Sequence, residues 1–142
     1  MYHRLVEPVK ATARRSKRLT HTVAVRDFQL LADEPRNDGG DDEGPTPEEL
    51  LAAALASCTA ITMELYAQRK GWDVGTVEVE VQFRPAERGF ATNFALVLRL
   101  PADLTDEQAA KLTAIAGKCP IHRTLDGPAM FTERVERVSA AA

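Results

Sequence analysis

Residues 44–72 form the longest apolar stretch of the chain, and no charged side chain falls between Leu50 and Thr62. Leu51, Leu55, Cys58, Thr62 and Leu65 step by three or four residues, the spacing of one helical face. Leu50, Ala53, Ala56, Ile61 and Met63 cover the other directions, so the helix is apolar nearly all round and suits the inside of a core. Thr46 and Glu49 have the spacing of a capping box, and Pro47 suits the first helical position. Gly71 follows Gln68-Arg69-Lys70, which puts cations in the last turn and a left-handed terminator after it. The helix bounded in this way, 47–70, spans about 36 Å.

Elsewhere the pattern has period two. Residues 6–14 alternate weakly, with Val9, Ala11 and Ala13 opposite Lys10, Thr12 and Arg14. A turn is expected at 16–17, then strands over 19–25 and 27–32, which together read as an antiparallel meander. Residues 33–44 (DEPRNDGGDDEG) are polar and contain Gly39-Gly40; this segment is expected to be the most mobile. Over 76–84, Val77, Val79, Val81 and Phe83 face one way, and over 90–100 Phe94, Leu96, Leu98 and Leu100 do the same. The turn 85–89 joins these two strands as a hairpin. Thr105 and Gln108 cap a second helix that carries Ala109, Leu112 and Ala116 on one side and ends at Gly117. Pro120 keeps Cys119 out of helical geometry and opens a short helix over 121–125. Residues 130–138 read as a last, edge strand. The order predicts the α+β class, a long helix packed on antiparallel sheet, in one domain spanning 1–142.

Composition narrows the function. With 44% apolar and 27% charged residues in 142, the chain is an ordinary globular one. A net charge of −3 gives no reason to expect a nucleic-acid partner. The basic start of the chain, with Arg14, Arg15, Lys17 and Arg18, has no interleaved aromatics; with the acid-rich run over 33–49 it reads as solvated loops and strand faces of opposite sign. No apolar run follows the charges of MYHRLVEPVK, so no secretory leader is expected. The apolar run over 50–62 meets Glu64 before a membrane-spanning length is reached. The expectation is a soluble, cytoplasmic protein with no membrane partner.

The candidate chemistry lies in two cysteines, Cys58 at the middle of the long helix and Cys119 before the short one. Their separation of 61 residues excludes CxxC redox and zinc-ribbon spacing. In a reducing compartment such a pair is buried and inert, metal-bound or reactive. By local rules Cys119 is the better activated, because it stands at a helix cap where free N–H groups favour a thiolate. Cys58 needs a cation brought by the fold. His122, three residues after Cys119, reads as a local hydrogen-bonding residue, with proton transfer as a lesser role. His3 and His21 have no ligand spacing, and no metal or other cofactor is expected. Glu48 is a favourable dipole partner in the first helical turn, or a group that orients an arginine beside a thiolate.

GPTPEELLAAALASC, followed some 60 residues later by KCPIHRTL, resembles the family of osmotically inducible protein C and organic hydroperoxide resistance protein (OsmC/Ohr). LLADEPRNDGGDDEGPTP and MELYAQRKGWDV extend the resemblance over essentially the whole chain. The resemblance implies an OsmC-like fold, with antiparallel sheet wrapped around a long cysteine-bearing helix in an intertwined homodimer. It implies thiol-dependent reduction of organic hydroperoxides without metal or flavin. Cys58 is then the attacking and Cys119 the resolving cysteine, and Glu48 is the active-site glutamate. Arg18 serves as the N-terminal arginine, with Arg26 as the alternative. An external dithiol, a lipoyl or other thiol donor, reopens the disulfide. The second motif reads CPIHRT where the best-studied members have CP, any residue and Ser, which places the chain in another branch. A non-catalytic ligand-binding or redox-sensing dimer is the competing reading.

Overall fold

The computed structural model describes residues 7–139. His3 and the start of the expected first strand lie outside them. The chain falls into two compact units: the first runs to Ser57 and takes in Val79–Val97, and the second takes in Cys58–Glu78 and the chain from Leu98 onward.

In the first unit β1 (Thr12–Lys17), β2 (Thr20–Val25) and β3 (Phe28–Ala32) form a three-stranded antiparallel sheet in sequence order. The meander is as expected, but its first turn falls at Arg18-Leu19 rather than at 16–17, because a register shift between Arg15 and Lys17 carries the strand further. All of β1 is exposed, so no buried side fixed its limits in the sequence. Arg18 and Arg26 occupy the two hairpin turns with φ of 48° and 54°. Positive φ is uncommon for residues other than glycine.

Residues 33–44 follow, with a 3-10 turn at Arg36–Asp38. The expected mobile loop is instead wound around Asp33, which is 2% exposed. Its carboxylate accepts from the Thr20 hydroxyl at 2.7 Å and from the backbone N–H groups of Glu34, Glu43 and Asp41 at 2.8, 3.1 and 3.4 Å. Gly44 passes so close to β3 that an added Cβ would stand 2.7 Å from the Leu31 carbonyl oxygen.

α1 (Pro47–Lys70) has the predicted bounds. The capping box forms, with Glu49 N–H donating to Thr46 Oγ1 at 3.1 Å and Thr46 N–H to Glu49 Oε1 at 2.9 Å. At the far end Trp72 N–H reaches the Ala67 carbonyl at 2.9 Å and Gly71 N–H the Gln68 carbonyl at 3.1 Å, with Gly71 at φ 71°. That is a Schellman motif, which requires a left-handed residue at Gly71. Leu55, Thr59, Thr62, Met63 and Ala67 are buried along one stripe, whereas Ile61 stays 57% exposed. The expected all-round burial is therefore not reached within one chain. By length and apolar content alone α1 would also suffice to cross a membrane.

β4 (Glu78–Arg84) and β5 (Asn93–Arg99) pair as a two-stranded sheet. Phe83 and Phe94 stack on one face with centroids 4.8 Å apart. β5 begins later than expected, and Phe90 is left in the connection, bridged to Glu87.

In the second unit α2 (Asp106–Ala116) carries the predicted Thr105–Gln108 capping box and buries Leu112 and Ala116. α3 (Pro120–Asp126) follows Cys119. The expected strand over 130–138 does not form: the segment is irregular and exposed, and no described strand pairs with it.

Candidate active site

α3 exists because Pro120 fixes its first position and Cys119 caps it. Cys119 is extended at φ −59° and ψ 137°, as a residue before proline should be, and its sulfur accepts from His122 N–H at 3.3 Å. The Cys119 carbonyl receives the first helical bond, from Arg123 N–H at 3.1 Å. Cys119 is wholly buried at 0% exposure. Cys58, at the middle of α1, is half-buried, and both thiols are free.

The fold brings the two together. Despite the 60 residues between them, the Cys119 side chain comes close enough to Cys58 to act on its thiol. Burial pushes the Cys58 thiol above its ordinary pKa, and the contact with Cys119 pushes it the same way. Two donors pull it back, the Ile121 backbone N–H from α3 and the Thr62 hydroxyl from one turn further along α1. The dominant influences on this sulfur are thus burial, a second thiol and two neutral donors. His122 contributes its backbone N–H to the site, and its side chain is half-buried.

The other predicted residues belong to the first unit. Glu48 is exposed at the head of α1, beside the Glu49 that makes the cap. Arg18 is engaged at the β1–β2 turn, donating from Nη2 to the Gly39 carbonyl at 2.9 Å and pairing through Nε with Asp41 at 3.3 Å. Lys17 beside it pairs with Glu43 at 2.5 Å, so the basic start of the chain meets the acidic loop. Arg26 lies over the Phe28 ring at 4.9 Å.

Sequence reasoning missed Thr62 and the Ile121 N–H. The only signal for Thr62 was its position four residues after Cys58 in a charge-free run. Among the described residues no group of three or more His, Cys, Asp or Glu side chains is placed to hold a metal ion.

An α+β chain that joins a mid-helix thiol to a helix-capping thiol is a dithiol protein. Residues 40–134 match the family described as OsmC-like protein, and the chain belongs to that OsmC/Ohr family. The matched span contains Glu48, Cys58 and Cys119; Arg18 lies before it. An uncharacterised protein of Acinetobacter baylyi is 32% identical over 114 residues, 78% of each chain. The OsmC-like protein of Mycoplasma pneumoniae superposes with a TM-score of 0.69 at 21% identity, over 85% of this chain and 89% of that one. The organic hydroperoxide resistance protein OsmC of Legionella pneumophila gives 0.65 at 24% identity, over 87% and 93%. These two structures agree with this chain in fold.

Proposed function

We propose that the protein is a thiol-dependent peroxidase that reduces organic hydroperoxides, and hydrogen peroxide less readily. The observation that carries this reading is the contact between the Cys58 and Cys119 thiols. A pair held that close can cycle between dithiol and disulfide without a large rearrangement. The half-buried Cys58 is the one a substrate reaches. Its thiolate attacks one peroxide oxygen, the O–O bond breaks, and the alkoxide leaves and takes a proton as the alcohol, which makes Cys58 a sulfenic acid. Cys119 attacks that sulfur, water leaves, and the disulfide closes. An external dithiol, a lipoyl or other thiol donor, returns both thiols by exchange. Family membership and the hydroperoxide resistance proteins among its structural neighbours support a peroxide-related role.

On this reading Arg18 supplies the guanidinium that favours the thiolate, with Arg26 as the alternative, and Glu48 orients it. The working unit is a homodimer in the cytoplasm, where both cysteines stay reduced between turnovers.

The test is to mix the reduced protein with cumene hydroperoxide and count thiols. Two should vanish per chain and return with a dithiol. Cys58→Ser should abolish peroxide consumption, and Cys119→Ser should let a sulfenic acid accumulate that dimedone traps. Persistence of both thiols would sink the reading. One observation favours the alternative, a redox-sensing or ligand-binding dimer: burial holds Cys58 as the thiol. A sensor would lose its thiols once and slowly, without turnover under excess dithiol.

A further inference from the structure

Cys119 is pinned where it stands. Its N–H donates to the Ala116 carbonyl at the end of α2 at 3.4 Å, its carbonyl accepts from Arg123 N–H in α3 at 3.1 Å, and its sulfur accepts from His122 N–H at 3.3 Å. Pro120 stiffens the junction by fixing its own φ and keeping Cys119 extended. The residue is 0% exposed, so no outside thiol reaches that sulfur unless α3 opens. Cys58 differs in each respect. It sits midway along α1 and is half-buried, and its helical neighbours are small or open: Ala54 is half-buried, Ser57 exposed and Ile61 57% exposed. Joined as a disulfide, the two sulfurs are unequal, one reachable and one not. Thiol exchange depends on which sulfur is attacked and on how well the other carries away the charge.

We propose that the external dithiol opens the disulfide at Cys58 and that Cys119 is the leaving sulfur, its charge taken up by the His122 amide. The inference rests on the Cys58–Cys119 disulfide proposed above. In the first exchange one thiolate of the dithiol attacks Cys58 Sγ, the bond to Cys119 breaks, and Cys119 leaves with the electron pair and is then protonated. The His122 N–H already bonded to that sulfur strengthens as charge grows on it, as hydrogen bonds to ionised acceptors do. In the second exchange the other thiolate of the dithiol attacks the reductant's own sulfur in the mixed disulfide. That S–S bond breaks, Cys58 leaves as the thiolate and takes a proton, and the dithiol ends as a disulfide. This second step must outrun return attack by Cys119, which its backbone holds in place. A single-thiol reductant has no second thiol tethered at the mixed disulfide and loses that race; a compact dithiol that closes a small ring wins it. Peroxide and reductant thus use one opening, at Cys58, and exclude one another there.

The experiment starts from protein oxidised with diamide, so it needs no peroxide chemistry. A monothiol, 2-mercaptoethanol, is added briefly and acid stops the exchange. Free thiols are then alkylated in denaturant, and the adduct is mapped by peptide mass spectrometry. It should lie on Cys58 at least about tenfold more often than on Cys119, because exchange follows access. An even split, or an adduct mostly on Cys119, overturns the proposal, as does a chain in which diamide forms no Cys58–Cys119 disulfide. His122→Pro removes the amide donor, and His122→Ala, which keeps it, is its reference. Opening by dithiothreitol should be about threefold slower in His122→Pro than in His122→Ala, since a poorer leaving thiolate leaves more slowly. Equal rates overturn the part given to the amide. Should His122→Pro lose cooperative unfolding, the adduct map of the parent decides alone. Peroxide consumption separates this inference from the one before it. An adduct on Cys58 in a chain that never consumes peroxide upholds this inference and removes the peroxidase; steady consumption with the adduct on Cys119 does the reverse.

Discussion

Asp33 is the residue whose chemistry departs furthest from its surroundings in sequence. It lies among acids and glycines in a segment expected to be the most mobile, yet it is 2% exposed with four donors on its carboxylate. The Thr20 hydroxyl does most to draw its pKa down to about 2; burial opposes this, and the N–H groups of Glu34, Glu43 and Asp41 assist. An unfolded aspartate titrates near 4, about two pH units higher. The folded state therefore holds the anion more favourably at all pH above about 4, and that advantage drains away as pH falls through the interval toward 2. Asp33→Asn should lower the urea midpoint clearly at neutral pH. The gap between parent and variant should close between about pH 4 and pH 2; a gap independent of pH would show that the charge is not what holds the loop. The consequence reaches Arg18, because the loop that Asp33 organises supplies Gly39 and Asp41, which engage that guanidinium. Composition could not reveal this. A hub that accepts mostly backbone donors leaves no mark in side-chain types.

At the scale of elements, the sequence was readable where the instructions are local. Thr46 with Glu49, Thr105 with Gln108, Gly71, and Cys119-Pro120 each act within a few residues, and all four formed as read. Readability failed where a neighbour decides the outcome. The β1 boundary shifted because TARRSK has no buried side, and Phe90 dropped out of β5. The meeting of Cys58 and Cys119 could not be derived from their spacing; only the resemblance to a family implied it. α3 is where local rule and site coincide, since the atom that caps the helix is also half of the thiol pair. Cys119→Ala should therefore do two things: lose the cap, at about 1 kcal/mol, and leave Cys58 without its partner. Cys119→Ser keeps an acceptor for the His122 N–H and should recover most of the stability but none of the disulfide. Thermal unfolding of the reduced proteins checks this; equal losses for Ala and Ser would mean that the sulfur is not an effective cap.

At the scale of the whole molecule, one chain leaves large apolar side chains open in several places. Phe28 is 59% exposed, Leu30 48%, Ile61 57% and Phe131 85%. They lie on a sheet strand, on the long helix and on the C-terminal segment, so no single loop accounts for them. The outer edges of β1 and β3 have no strand partner among the described residues, and open edges are normally paired or blunted. Residues 130–138 were read as a strand from their sequence, but they extend without a ladder. A strand pattern is only half of a strand; the other half is a neighbour with free N–H and C=O groups. The same deficit appears in α1, whose sequence is apolar nearly all round while the chain buries one stripe of it. A second copy of the chain would supply partners for all of these at once, and the homodimer proposed above predicts that it does. Light scattering on the eluted protein should give twice the mass of 15.6 kDa. Backbone amides over 130–138 should be protected from hydrogen exchange, which an exposed irregular segment would not allow. Ile61→Glu together with Phe131→Glu should shift the protein toward monomer and abolish that protection, whereas Val97→Glu, on the solvent side of β5, should leave the mass unchanged. A parent protein that elutes at a single chain's mass with rapid exchange over 130–138 would show that this apolar surface stays uncovered.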